Sequence, residues 1–409
     1  LSAFLAGSLA LLPGIPALPF LALAAATGVS AWAISARRGA DARKTAATEA
    51  SAAAGAPVAE EPISTALQID QIRLELGYGL LSMINADKNH RLTDQIKALR
   101  RQLASEVGFV LPAVRIQDNM QLAANAYVIR VKEIEAGRGE LRPNMLLAMD
   151  PRGEEIALPG EKTVEPTFGL PAMWIAENNK EEALFRGLTV VDPATVITTH
   201  IKETIKRNAH ELLGRQEVQT LLDKFKETNP KVVEELVPNL MTLGKVQKVL
   251  QNLLREQISI RDLRTILETL ADYAPKVEDP DVLTEYVRQA LARSITKQYL
   301  AKDGTLSVMT LDRGVEDLIQ QSIQKTELTS YLALEPTVAE KILAKIREAA
   351  EAVTPMLETS PVLLASPLIR MYLRKLTERF LPDLVVLSHS EIIPNVQIRT
   401  LRVVTLNAN

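Results

Sequence analysis

The first 36 residues contain no charged side chain, and this uninterrupted apolar pattern predicts a membrane segment. Residues 18–36 would form a helix about 28 Å long, close to the ~30 Å hydrocarbon core of a bilayer. Residues 1–12 are equally apolar but shorter, and they end at a Pro-Gly-Ile-Pro turn, so we expect the end of a second helix there. A signal peptide and an apolar helix buried in a soluble core are the alternative interpretations.

A basic cluster follows this segment directly, at positions 37, 38, 43 and 44. By the positive-inside rule it predicts that the rest of the chain lies in the cytoplasm. Residues 37–70 are rich in alanine, with scattered charges and no apolar periodicity, which is typical of a flexible linker. The pattern therefore predicts that residues 1–36 anchor a folded region to the lipid bilayer through a tether.

Beyond the linker, short strands and helices alternate, which indicates an α/β architecture. Apolar residues at helical spacing predict a helix over 92–107, and an alternating pattern predicts a strand over 127–131 with a turn at Gly137-Arg138-Gly139. Asp192 and Pro193 have the character of an N-cap and a first-turn proline, and we expect the helix that they open to end at Gly214.

Strand patterns disappear between residues 215 and 300, where helical runs are separated by prolines and glycines, so this part is predicted to be all-α. Asp279-Pro280 opens one of these helices. Its predicted buried stripe consists of Val282, Tyr286, Val287, Ala290 and Leu291. After Gly304 strands and helices alternate again, ending with a strand over 396–406.

Composition excludes several classes of function. Lys and Arg total 47 against 50 Asp and Glu, so the net charge of −3 offers no footprint for nucleic acid. The absence of Cys excludes disulfides, zinc ribbons and iron–sulfur clusters, and the four His are too far apart for a helical metal site. We therefore predict no cofactor and no metal.

No catalytic motif stands out either, and we expect a protein that is not an enzyme. The run Gly160-Glu-Lys-Thr163 resembles the end of a phosphate loop but lacks the required spacing, which leaves a membrane-tethered nucleotide hydrolase as a weaker alternative. His200 is more readily interpreted as a structural histidine than as a catalytic one. The stretch 158–175 has prolines and glycines that predict an irregular segment, whose large apolar groups either anchor it or receive a partner helix.

Several motifs together resemble the FlhA family, the large export-gate subunits of flagellar and other type III secretion systems. They are Leu-Pro-Gly-Ile-Pro at 12–16, Leu-Glu-Leu-Gly-Tyr at 74–78, Gly-Glu-Lys-Thr-Val at 160–164, Phe-Gly-Leu at 168–170, Gly-Arg-Gln-Glu at 214–217, Lys-Val-Leu-Gln-Asn-Leu-Leu at 248–254 and Ile-Arg-Asp-Leu-Arg-Thr-Ile-Leu-Glu-Thr-Leu at 260–270. This resemblance implies a bacterial inner-membrane protein of the flagellar export apparatus. An injectisome homologue and a purely structural ring scaffold are the alternatives within it.

The resemblance also implies four cytoplasmic subdomains. These are a thioredoxin-like first subdomain at 71–143 and 193–212, a ferredoxin-like second at 144–192, a helical third at 213–292 and an α/β fourth at 293–409. The implied partners are export chaperones with bound flagellar substrates, the other export-gate membrane subunits and the export ATPase complex. The resemblance also implies a ring of nine copies of the chain.

The family's chaperone-docking dimple falls on three residues of this sequence, Glu165, Phe168 and Thr199, with Val191 beside it. Phe168 would supply on the order of 2–3 kcal/mol of apolar burial to a docked helix. Glu165 and Thr199 are expected to supply polar groups at the rim of the dimple.

Overall fold

A computed structural model describes residues 69–85, 92–150, 153–326, 330–357 and 360–406. All of these except Ile69 belong to one compact unit, Asp70–Asn409. The predicted membrane segment at 1–36 lies outside the described residues, as does all of the predicted linker at 37–70 except its last two residues. Within the described ranges, no helix combines the length and the apolar character needed to cross a membrane. The fold is a mixed α/β one, as expected.

The first sheet has the strand order β2-β1-β3-β4. Its strands are β1 Ile72–Leu76, β2 Val114–Asp118, β3 Ala126–Val131 and β4 Ile134–Glu140. Two helices lie between β1 and β2 in the chain, α1 Ser82–Asn85 and α2 Leu92–Val107. The strand predicted at 127–131 and the helix predicted at 92–107 are confirmed. The buried residues of α2 are three or four positions apart and share one face of the helix: Leu92, Ile96, Leu99, Leu103 and Val107.

The turn predicted at Gly137-Arg138-Gly139 is wrong, because these residues lie inside β4. The chain turns earlier, at Lys132 and Glu133, which both have positive φ and form a two-residue hairpin turn. Gly137 and Gly139 are needed for a different reason. A Cβ at Gly137 would lie 2.8 Å from His200 Nε2 and one at Gly139 would lie 2.6 Å from the Tyr127 hydroxyl oxygen, so both glycines make room for neighbouring side chains.

A second sheet with the order β6-β7-β5-β8 follows. Its elements are β5 Leu146–Met149, β6 Glu161–Val164, β7 Pro171–Ile175, α3 Lys180–Phe185 and β8 Thr189–Val191. The irregular segment predicted at 158–175 is wrong, since it contains the antiparallel pair β6 and β7. Trp174 and Met173 of β7 are both buried, and they belong to different apolar clusters on the two faces of this sheet.

All secondary-structure elements within residues 193–299 are helical, including a short distorted turn of helix at Leu236–Leu240. They are α4 Pro193–Arg207, α5 Ala209–Leu212, α6 Arg215–Lys226, α7 Pro230–Glu235, α8 Leu243–Arg255, α9 Leu263–Tyr273, α10 Pro280–Ala290 and α11 Ala292–Tyr299. Asp192 caps α4 as predicted, accepting a hydrogen bond from Thr195 N at 2.8 Å. The expectation that Gly214 ends this helix is wrong: α4 ends at Arg207, and Gly214 is the N-cap of α6.

The last part of the chain holds a parallel sheet with the order β13-β12-β9-β14. The helices and strands of this part of the chain are β9 Thr305–Leu311, α12 Arg313–Gln321, β10 Ile323–Lys325, β11 Ser330–Leu332, α13 Pro336–Val353, β12 Val362–Ala365, α14 Arg370–Thr377, β13 Val385–Ser388 and β14 Gln397–Val404. The short strands β10 and β11 form a separate hairpin. Alternation of strand and helix after Gly304 is therefore confirmed.

A buried ion network joins the helices to this last sheet. Arg370 of α14 donates to Glu256 at 2.6 Å and to both oxygens of Glu285, while Arg288 of α10 donates to Glu391 at 2.7 and 2.8 Å and to Glu256 at 3.0 Å. Both arginines are almost completely buried. Burial alone would raise the pKa of Glu256, but the charges of Arg288 and Arg370 outweigh it and lower this pKa to about 2.

This network explains why the stripe predicted on α10 is partly wrong. Val287 and Leu291 are buried as expected, whereas Ala290 is exposed. The buried face of α10 includes Arg288 in place of Ala290, because the carboxylates around the guanidinium compensate the cost of burying it.

Candidate functional site

The turn between β6 and β7 carries the most prominent apolar side chain of the predicted site. Phe168 is 59% exposed, and Val164, which ends β6, is 63% exposed. Exposed apolar groups of this size on a short hairpin do not contribute to the core of the chain, so they are available to a partner. Sequence reasoning placed Val164 in an irregular segment, and only its pairing with Pro171 across the hairpin places it at the base of this turn.

The sequence of the turn restricts its backbone at several points. Pro166 fixes its own φ and confines the residue before it to extended conformations. Gly169 has a φ of 72°, a left-handed conformation that side chains disfavour. Pro171 occupies the first position of β7, where its missing N–H is tolerated. These residues therefore limit the backbone conformations that are open to the turn around Phe168.

Glu165 lies on the inner side of this turn. The family resemblance implies a place at the rim of the dimple, and the structure differs from that expectation. The side chain of Glu165 is buried, with 3% of the residue exposed. Its carboxylate accepts a hydrogen bond from Phe168 N at 2.7 Å. Its backbone N–H donates to Leu170 O at 2.8 Å, and its carbonyl accepts from Gly169 N at 3.0 Å. Glu165 and Phe168 are therefore directly linked, but only one of them faces solvent.

A buried Tyr–His pair lies next to this turn. The Tyr127 hydroxyl and His200 Nδ1 are hydrogen-bonded at 2.8 Å, as expected for a structural histidine. Burial lowers the pKa of His200; the charge of Glu165 opposes this change and that of Arg207 adds to it. Burial also raises the pKa of Tyr127, and the charge of Glu165 raises it further. The carboxylate of Glu165 is thus close enough to act on both rings, which connects the turn to α4.

The two remaining predicted residues lie on neighbouring elements. Thr199 is half-buried on α4, directly before His200 in the chain. Val191 is half-buried on β8, where it pairs with Leu147 of β5. Because β5 separates β8 from β7, Val191 lies about 10 Å from the strand that follows the Phe168 turn. The structure brings Glu165 and Phe168 together and places Val191 farther away.

A substitution at Gly137 tests how tightly β4 packs against His200 of α4. Gly137→Ala is expected to destabilise the fold by about 1–3 kcal/mol, because the new methyl group would overlap His200 Nε2. Urea unfolding followed by circular dichroism measures the change. Gly244→Ala is the matched control, since its nearest neighbour is the flexible end of Arg215 at 3.4 Å, and it should be neutral or stabilising. Equal stabilities of the two variants would contradict the packing argument.

The run Gly160–Thr163, which resembles the end of a phosphate loop, belongs to a strand and the residue before it. Gly160 precedes β6, and Glu161, Lys162 and Thr163 are paired strand residues of it, so this run does not wrap a phosphate. Lys162 forms an ion pair with Glu155. Within the described ranges, no cluster of three or more His, Asp or Glu side chains could hold a metal ion.

The chain matches known proteins along nearly its whole length. Residues 1–397 match the FHIPEP family. The flagellar biosynthesis protein FlhA of Caulobacter vibrioides is 46% identical over 401 residues, which cover 97% of this chain and 57% of that protein. FlhA of Bacillus subtilis is 47% identical over 346 residues, which cover 85% and 51%. The chain thus spans about half the length of these curated relatives.

Solved structures extend the comparison to the fold. The CdsV protein of Chlamydia pneumoniae aligns with a TM-score of 0.75 at 32% identity, covering 82% of this chain and 98% of that one. The nonameric EscV cytosolic domain from a type III secretion system aligns with a TM-score of 0.67 at 27% identity, covering 83% and 98%. The mixed α/β arrangement described above is therefore also found in these proteins.

Proposed function

The chain belongs to the FHIPEP family, and on that premise we propose that it is the anchored docking part of a flagellar type III export gate. In this role it receives export chaperones with their bound flagellar substrates and presents the cargo to the membrane gate. The resemblance to FlhA found in the sequence motifs agrees with the family match. Curated relatives named for flagellar biosynthesis favour the flagellum over an injectisome.

One observation carries the docking role: Phe168 is exposed on a turn whose backbone is hydrogen-bonded to the buried Glu165. A fixed apolar group exposed on a soluble surface favours a partner that buries it. Thr199 and Val191 would extend the surface, and Val164 would add apolar area. A patch of this size has a modest affinity, which suits a receptor that releases each cargo quickly.

Relatives support the proposed assembly. The EscV cytosolic domain is nonameric, and CdsV has been solved in complex with the CdsO protein. We propose that this chain likewise forms a nonameric ring at the inner membrane and that it meets the other export-gate subunits and the export ATPase complex there. Residues 1–36 would anchor the ring, and residues 37–70 would tether it on the cytoplasmic side.

The finer division into subdomains remains part of this proposal. A thioredoxin-like subdomain would comprise 71–143 and 193–212, and a ferredoxin-like one 144–192. The helical subdomain would comprise 213–292 and the α/β subdomain 293–409. The order of sheet, second sheet, helices and last sheet along the chain is compatible with these limits. Docking in this arrangement requires no catalytic group.

Export in living cells tests the proposed function. In a strain whose own gene carries Phe168→Ala, we expect the amount of flagellar filament protein in the medium to fall about tenfold or more, because the chaperones lose their apolar anchor. Immunoblots of medium and cells measure the amount, and an unchanged cellular level of the variant protein excludes degradation. Phe185→Ala is the matched control, since Phe185 of α3 is 93% exposed but outside the site. Normal export by the Phe168→Ala strain would contradict the docking role.

A further inference from the structure

We propose that Glu165 is a positioning residue of the docking surface, which sets the conformation of the turn 165–169 and does not itself contact the chaperone. This inference rests on the proposed function and specifies how one of its residues works. A residue with 3% of its surface exposed has almost no area to offer to a partner. The residue that it holds, Phe168, has 59% of its surface exposed.

The hydrogen bonds support this division of roles. The carboxylate of Glu165 accepts from the N–H of Phe168, the residue whose side chain is displayed, at 2.7 Å. An ionised acceptor makes this bond stronger than one between neutral groups. The backbone of the same residue closes the turn through Leu170 O and Gly169 N. Three hydrogen bonds therefore run from one buried residue to the three positions that determine where Phe168 lies.

Burial makes this turn conformation costly to leave. A buried carboxylate without a hydrogen-bond donor is strongly unfavourable, so releasing the Phe168 N–H would leave Glu165 in an unfavourable state. Among the described residues, no hydrogen bond other than that of the Phe168 N–H is found for this carboxylate. Thr167 is also buried, so positions 165 and 167 point inward while 168 faces solvent. Loss of the carboxylate should free the turn and disperse Phe168 over several orientations.

A double-mutant cycle on the 409-residue chain in detergent distinguishes positioning from contact. The probe is a purified export chaperone with its bound flagellar substrate, and calorimetry gives the dissociation constant. We expect Phe168→Ala to weaken binding about tenfold or more and Glu165→Ala to weaken it to a similar extent. In the Phe168→Ala background, Glu165→Ala should add less than about twofold, because it has no aromatic ring left to position.

Two further variants serve as controls. Glu165→Asp keeps a carboxylate that can accept from a nearby backbone N–H, and it should restore most of the affinity. Phe185→Ala removes an exposed aromatic ring from α3, outside the turn, and it should leave affinity unchanged. If Glu165→Ala fails to fold, hydrogen exchange of the wild-type chain decides: slow exchange at the Phe168 amide supports the proposal, and unprotected exchange overturns it.

The remaining outcomes separate this inference from the proposed function. If the effects of Glu165→Ala and Phe168→Ala multiply in the double variant, Glu165 contacts the chaperone itself, so the positioning role is overturned while the docking site stands. If Phe168→Ala binds as tightly as the wild-type chain, the docking site is wrong and the positioning role falls with it.

Discussion

Replacing Arg370 by methionine is expected to destabilise the folded chain by about 3–5 kcal/mol, the cost typical of removing one partner from a buried ion network. The guanidinium of Arg370 is the main partner of Glu285 and shares Glu256 with Arg288. Without it, Arg288 alone is left to bind the three carboxylates of the network, those of Glu256, Glu285 and Glu391. Methionine fills much of the same volume, so the loss reports charge compensation more than packing.

The loss of stability caused by Arg370→Met should become smaller at acidic pH. The pKa of Glu256 is lowered from 4.5 to about 2 in the fold, so its ionisation contributes stability that is present above pH 4.5 and lost as the pH falls towards 2. Arg370→Met removes part of that contribution. The difference in unfolding free energy between wild type and variant should therefore shrink over this acidic range.

An exposed ion pair provides the control for this prediction. Arg264→Met breaks the pair that Arg264 forms with Glu268 at 3.4 Å on the surface of α9, and it should cost less than about 0.5 kcal/mol. Urea unfolding of the three proteins in parallel measures both changes. If Arg370→Met were as mild as Arg264→Met, the network would not stabilise the contact between the helices and the last sheet.

The sequence predicts the elements whose burial follows a regular period. Helix α2 can be predicted because the apolar positions along it repeat at helical spacing. The start of α4 can be predicted because Asp192 and Pro193 mark it. The hairpin of β6 and β7 cannot be predicted from the sequence in this way. Its prolines and glycines suggest an interrupted segment, although Pro166 and Gly169 lie in the turn and Pro171 begins a strand, where each is tolerated.

A local sequence pattern cannot show that a charged residue is paired with a residue far away in the chain. Arg288 has the appearance of a surface residue on α10 until Glu391, 103 positions later, is placed beside it. The same limit applies to the candidate site. The sequence identifies Glu165 and Phe168 as a pair through a family resemblance, but a glutamate three residues before a phenylalanine gives no indication that the acid is buried and the aromatic ring exposed.

Phe168→Ala is expected to weaken the binding of an export chaperone by about 2 kcal/mol, which is a change of about thirtyfold in the dissociation constant. The reason is the apolar area of the ring that a docked helix would cover. Because Phe168 is already exposed in the free chain, its removal leaves no cavity, and thermal unfolding followed by circular dichroism should be unchanged. Calorimetry with a purified chaperone and its bound flagellar substrate measures the affinity.

The control for this prediction is again Phe185→Ala, which removes an even more exposed ring from α3 of the second sheet region. A nonspecific apolar attraction would respond to both substitutions, whereas a defined docking surface responds only to the first. Equal losses of affinity in the two variants would show that the chaperone does not select the turn between β6 and β7.

Photo-crosslinking in living cells tests the docking claim most directly, because it reports which surface the cargo complex touches during export. A photoreactive amino acid is placed at position 168 in one strain and at position 185 in another, and the adducts are identified with antibodies against export chaperones and their substrates. If the turn between β6 and β7 is the docking surface, a chaperone adduct forms from position 168 and none forms from position 185. An adduct from position 185 with none from position 168 would contradict the docking claim.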